Sequence, residues 1–466
     1  MQVTNHRAAA RSVFARSGSA GIGFLERVGE VFMRAFYHRP VAAVSPGETR
    51  RVKKEPRRAE GRFGRVTVMS EHVATLADLV RRPSVNPMGR DVSGPDYLEG
   101  RVTDYLVQRF MAAGLPWVRQ PVSPGRDNVV ARLDATVPNA PTILWDAHQD
   151  TVPADGMSIE PFAPVVRDGR LYGRGSCDVK GGMAAMLVAI DRLRTSDRPR
   201  LANVVFTATV NEEFGFSGAK AIARLWTTPA AELAPTDLAA RNLLGGTPVE
   251  AIVAEPTELD IVTQHKGAVR WRMRVHGVAC HSAFPEQGDN AIYPAGRAIG
   301  VIESLARELL TRHPEHPCGP PTLNLGTIHG GMGVNLVPDL VVLELDRRVV
   351  PGESPEAARN EVIERIAAAC GSARIEHDAP FLESAGLPAM ADRTWFDRLT
   401  TAARGKGVAA RQIAARYGTN ASVFAAAGVP SIVFGPGAIG QAHTADEWIE
   451  LAQVDMAADI LAATVS

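Results

Sequence analysis

Short apolar runs bounded by polar turns recur along the chain. NVVARLDA, APTILWDAH, NVVFTATVNEE and VEAIVAEP are rich in β-branched residues and too short for typical helices, so they read as strands. Between them, EHVATLADLVRRP carries helical spacing and stops at a proline, and VKGGMAAMLVAIDRLRT reads as a small-residue helix. This alternation predicts an α/β fold: a mainly parallel sheet with helices on both faces.

Near Thr263 the pattern changes. VRWRMRVHG alternates as a half-solvated strand does, and NAIYPAGRAIGVIESLARELL follows as a helix. TLNLGTIHGG and LVVLELDRRVV are further alternating strands, and PEAARNEVIERIAAAC is an amphipathic helix. Strand, helix, strand, strand, helix predicts an antiparallel sheet backed by two helices, inserted over 263–380. The first pattern then returns with the helix TWFDRLTTAARGKG and the buried strand VPSIVFGPG. Residues 69–262 and 381–466 are thus expected to form one α/β domain interrupted by an inserted α+β domain. With 466 residues the chain exceeds what one hydrophobic core holds, which agrees with two domains.

An apolar fraction of 45% with 22% charged residues puts the chain among ordinary globular proteins. No apolar run reaches eighteen residues, so no membrane span is expected. Cys177, Cys280, Cys318 and Cys370 are widely separated without a CxxC pair, which points to reduced thiols and the cytoplasm. The net charge is zero but uneven: residues 1–65 hold 14 Lys and Arg against 5 Glu, leaving an acidic remainder. That remainder gives no reason to expect nucleic-acid binding. Residues 1–68 are expected to be a basic, disordered extension, and Met69 opens a sequence that reads as the start of a domain.

Candidate chemistry gathers at predicted strand ends and the loops after them, where open α/β sheets bind ligands. WDAHQDT offers His148 as a metal ligand and Asp150 as the carboxylate that orients it. LYGRGSCDVKGG places Asp178 in a glycine-flanked turn, where it would serve equally as a helix N-cap. NEEFGFSG sets Glu212 beside Glu213, adjacent carboxylates that repel unless a cation or proton separates them. One of them can ligate metal while the other moves protons. AEPTE adds Glu255, and GQAHTADEW adds His443. Each motif alone is weak, but the ordered set suffices for two zinc ions sharing a carboxylate, with positions left open for catalysis.

In this order the motifs resemble the di-zinc metallohydrolase family that contains acetylornithine deacetylase, succinyl-diaminopimelate desuccinylase, aminoacylase and glutamate carboxypeptidase. The resemblance spans about residues 70–466. It implies that Asp178 bridges two metals, that His148 and Glu255 complete one site, and that Glu213 and His443 complete the other. It further implies Glu212 as general base, Asp150 as the support of His148, and a cis peptide between Asp178 and Val179. Zinc is the expected metal, with cobalt or manganese as substitutes.

By the same resemblance the insertion is a lid and dimerisation domain of a homodimer. His281 in GVACHSAFPEQGDNAI would reach a neighbouring active site to stabilise the oxyanion, and Asn335 and Arg348 would bind substrate, Arg348 through its carboxylate. Arg347 is expected on the opposite strand face, and His265, His276 and His329 are read as structural. HKG at 265–267, PTLNLGTIHGG, YGTNA and GPGAIGQAHTADE lean towards the acetylornithine deacetylase branch, and so towards arginine biosynthesis. Two positions depart from it. Asn420 stands where that branch has a carboxylate for the ornithine ammonium, and Asn211 replaces an acid before the two glutamates. The expected partner is a small N-acyl amino acid, with a short peptide as the rival substrate.

Overall fold

The structure, a computed structural model, describes residues 69–390 and 392–466; the extension expected over 1–68 lies outside the described residues. The first part of the chain forms β1 (Trp117–Ser123), β2 (Arg126–Leu133), β3 (Thr142–His148), the short β4 (Val165–Arg167) and β5 (Arg170–Tyr172), β6 (Asn203–Thr209), β7 (Glu250–Val253) and β8 (Ile261–His265). It then turns into β9 (Gly267–His276), β10 (Thr322–Gly330), β11 (Leu340–Val349), β12 (Arg374–His377) and β13 (Leu382–Ser384). It returns with β14 (Gln412–Ala415), β15 (Ser431–Phe434) and β16 (Trp448–Glu450).

Eight of these strands form one sheet in the order β1-β2-β6-β3-β7-β15-β8-β14. The central strands β6, β3, β7 and β15 run parallel, so their carboxyl ends share one edge. Antiparallel strands flank them, β2 beside β6 and β8 beside β15. The mainly parallel α/β architecture read from the sequence is the one observed.

Alternation along the strands divides the core in two. Ile143, Trp145 and Ala147 of β3 enter one cluster while Leu144 enters the other, and Val204 and Phe206 of β6 are separated from Val205 in the same way. Helices Glu71–Val80, Gly100–Ala113, Gly181–Thr195, Thr394–Gly405 and Leu451–Thr464 pack on the first face. Helices Ser217–Thr227, Pro235–Leu244 and Asn420–Ala426 pack on the second. Among the described residues, no helix is long and apolar enough to cross a membrane.

The second sheet is antiparallel, in the order β10-β11-β9-β12 with β13 also on β9. On β9, Val269, Trp271, Met273 and Val275 are buried beneath helices Ile292–Leu309 and Pro355–Cys370, while Arg270, Arg272 and Arg274 stay partly exposed. β12 and β13 add to the three strands legible from sequence; four and three residues are too few for a period to show. The passage from β8 to β9 depends on Gly267, where an added Cβ would sit 2.2 Å from the Ser384 carbonyl oxygen.

One buried acid of the large sheet has no counter-charge among the described residues. Glu250 opens β7 fully enclosed, with Oε1 unpaired among the described residues. Burial, and secondarily the charge of Asp392, pushes its carboxyl up from 4.5 to about 8. The folded state therefore holds this proton more tightly than the unfolded chain. The associated stability is complete below pH 4.5 and is lost as pH rises through about 8. Glu250→Gln is neutral throughout. Its stability relative to the parent is expected to rise by roughly 3–5 kcal/mol between pH 4 and pH 9. Urea unfolding at both values checks this, and a pH-independent difference would refute it.

Candidate metal centre

β3 ends on His148, β6 leads into Glu212 and Glu213, β7 runs on to Glu255, and the segment after β15 carries His443. Four of the five expected ligands thus come from the carboxyl edge of the four parallel strands, where such sheets bind ligands. Asp178 does not. It arrives from a tight turn between β5 of the small sheet β16-β5-β4 and helix Gly181–Thr195, and its peptide bond to Val179 is cis.

All five converge. His148 Nε2 lies 3.1 Å from Asp178 Oδ1, while His443 Nε2 lies 3.3 Å from Asp178 Oδ2 and 3.4 Å from Glu213 Oε2. Donor atoms of His148, Asp178 and Glu213 fall within 4.8 Å of one another, as do those of His148, Glu212 and Glu255. Asp178 therefore offers one oxygen to each histidine. Glu213 Oε1 is buried without a hydrogen-bond partner among the described residues.

Electrostatics show how anionic the cluster is. Burial first, then neighbouring carboxylates, pushes Glu212 and Glu255 well above the usual range, and Glu213 moves the same way. Burial would also raise Asp178, but hydrogen bonds from His148 and His443 outweigh it and hold the carboxyl low. Asp178 and Glu213 in turn raise His443. Four carboxylates and two imidazoles, with an orphaned oxygen among them, fit a pair of divalent cations: the pull that keeps protons on the imidazoles would equally hold metal.

The surroundings place Asp150 beside His148 and beside the turn after β6. His148 Nδ1 contacts the Asp150 backbone oxygen at 2.9 Å, while the nearest Asp150 carboxylate oxygen is 3.6 Å away. That carboxylate also accepts the backbone N–H of Glu212 at 3.1 Å, that of Glu213 at 3.2 Å, and Asn86 Nδ2 at 2.7 Å. Asn211 holds the same turn with φ of 60°, a region asparagine tolerates. Its Oδ1 accepts from Asn86 and Arg126, and its Nδ2 donates to Ser217. An aspartate would lose that donor. Arg126 is itself gripped by buried Glu99.

Sequence reading missed Glu447. It is fully buried, accepting from Arg174 at 2.7 Å and from the backbone N–H groups of Gly175, Cys177 and Asp178 at 2.8–3.0 Å. It wraps the turn that presents Asp178. The only signal was an acid four residues beyond His443.

The remaining candidates divide. Arg348 lines the cavity over the cluster together with Arg270, Phe216, Leu382, Tyr417 and Ile439. Arg347 faces the other way, buried against Glu353. His265 is enclosed, bonded to the Lys266 carbonyl and the Thr419 hydroxyl. Asn420 does not reach the cavity. It starts helix Asn420–Ala426 and turns beneath the site, where Nδ2 donates to Asp146 and Thr209. His281 and Asn335 share an exposed tip of the second sheet, linked by the His281–Leu336 bridge and the Ser282–Asn335 backbone hydrogen bond, and neither lines the cavity of its own chain.

Comparison with known proteins agrees with this geometry. The chain is 30% identical to an acetylornithine deacetylase of Myxococcus xanthus over 78% of its own length and 90% of that relative. It is 31% identical to an acetylornithine deacetylase of Edwardsiella ictaluri over 82% of its length and 94% of that relative. Its fold matches an M20 family metallo-carboxypeptidase from Sulfolobus solfataricus with a TM-score of 0.68 at 17% identity, covering 85% of this chain and 99% of the other. The model of peptidase family M20/M25/M40 matches residues 144–466, and with that match over most of its length the chain belongs to this family of hydrolases acting on amide bonds.

Proposed function

We propose that the protein is a two-metal amidohydrolase that cleaves the amide bond of an N-acyl amino acid, in the manner of acetylornithine deacetylase. The observation that carries this reading is the division of Asp178 between His148 and His443, one carboxylate oxygen to each. Zinc suits this mixed nitrogen and oxygen donor set, with cobalt or manganese as substitutes. His148 and Glu255 would hold one ion, Glu213 and His443 the other, and Asp178 both. Bound there, two divalent cations would polarise the scissile carbonyl and acidify a water.

The protein's own residues do the rest. Glu212 takes the water's proton and delivers it to the leaving amine. Asp150 fixes Glu212 and Glu213 through their backbone N–H groups. Glu447 fixes the Asp178 turn. Arg348 receives the substrate carboxylate. A dipeptide presents the same amide and carboxylate to this cavity, so dipeptidase or acylamino-acid carboxypeptidase activity is the second reading.

His281 and Asn335 would act across a homodimer, His281 donating to the partner's oxyanion. Around them Met332 and Val334 are 90% and 101% exposed, and Ile328 is exposed on the edge strand β10; an apolar edge of this kind favours pairing with a second copy. We place the activity in the cytoplasm, in keeping with four unpaired cysteines.

Four outcomes test this reading. Metal-loaded protein is expected to hydrolyse N-acyl amino acids or dipeptides, with activity lost to a chelator; no turnover with both metals bound would defeat the proposal. Glu212→Gln is expected to keep both metals and lose roughly 10²–10⁴-fold in kcat, whereas Glu213→Gln loses metal, as elemental analysis would show. Glu447→Gln is expected to weaken metal affinity roughly 10–100-fold while the chain stays folded. Sedimentation should give a dimer, and a fully active monomer would remove the trans role of His281.

A further inference from the structure

The cavity lining carries charges of both signs, from different parts of the fold. Its anionic lining consists of Asp178, Glu212, Glu213 and Glu255, all members of the ligand cluster. The antiparallel sheet contributes Arg348 and a second arginine, Arg270, which the hydrolysis of a simple N-acyl amino acid leaves without a task.

These arginines form a constructed pair. Asp346 of β11 lies opposite Arg270 of β9, and Arg348 follows two residues along β11, so all three side chains share one sheet face. Arg348 Nε lies 3.0 Å from Asp346 Oδ1, and Arg270 Nε lies 3.3 Å from Asp346 Oδ2. Among the described residues the terminal nitrogens of both guanidiniums make no hydrogen bond. Two cations share one anion, leaving a net positive charge and two open donor forks that suit carboxylates.

We infer that the site is specific for N-acyl derivatives of acidic amino acids, Arg348 receiving one carboxylate and Arg270 the second. This rests on the amide-hydrolysis reading above. Both guanidiniums hang from one aspartate, so the two carboxylates lie close together on the same side of the scissile amide, as in an N-acylaspartate or N-acylglutamate. An ornithine ammonium meets no free carboxylate in the lining and stands against like charge. Asn420, at 1% exposure and bonded to Asp146, offers it nothing.

The experiment compares N-acetylglutamate, its neutral isostere N-acetylglutamine, N-acetylornithine and N-succinylalanine on the metal-loaded full chain. N-acetylglutamate is expected to lead in kcat/KM by roughly 10- to 100-fold, the size of one charged hydrogen-bonding contact. Arg270→Ala and Arg270→Gln should each abolish that lead, lowering kcat/KM for N-acetylglutamate more than for N-acetylglutamine, with circular dichroism and bound metal content reporting correct folding. Arg270→Glu should turn the preference towards N-acetylornithine. The inference alone is overturned if N-acetylglutamine, N-acetylornithine or N-succinylalanine matches N-acetylglutamate, or if the Arg270 variants slow all four alike. No cleavage of any substrate overturns the amide-hydrolysis reading, and this inference with it.

Discussion

Four carboxylates crowded into one buried space repel one another, and burial compounds the cost because each charge has lost its water. Asp178, Glu212, Glu213 and Glu255 are in that position, with His148 and His443 the nearest cationic groups. The rest of the site can be understood as scaffolding that keeps them together. Side chains free to move would separate; the backbone N–H groups of Asp178, Glu212 and Glu213 are each held by a hydrogen bond.

That bonding comes from acids outside the cluster. Asp150 accepts two successive backbone N–H groups and so sets the direction of Glu212 and Glu213. Glu447 does the same for the Asp178 turn, with Arg174 balancing its charge. Asn211, Asn86, Arg126 and Glu99 continue the support outward. Each link crosses from one chain segment to another, so displacement of any of these segments would be felt at the cluster.

The two sheets divide the work at the cavity. The large parallel sheet delivers acids from its strand ends, and the antiparallel sheet presents arginines from a strand face. Alternation decides which arginine serves: on β11, Arg348 faces the cavity and Arg347 is buried against Glu353. Acids and arginines thereby reach one cavity from different sheets.

The sequence by itself determined the central strands, several of the helices and the chain positions of the convergent acids and histidines. Burial on one or both faces leaves a period in the chain, and the ends of β3, β6 and β7 are marked where apolar runs stop at His148, Glu212 and Glu255. Tertiary structure alone decided what each polar side chain meets. Asp150 turned out to bond the backbone beyond β6 more closely than the ring of His148, Asn420 to point under the site, Glu447 to wrap a turn about 270 residues away, and Arg270 to pair with Asp346 across strands. The physical reason is range. Periodicity is a local property of consecutive residues, whereas a hydrogen-bond partner is whichever element the fold carries past, and no neighbouring residue records it.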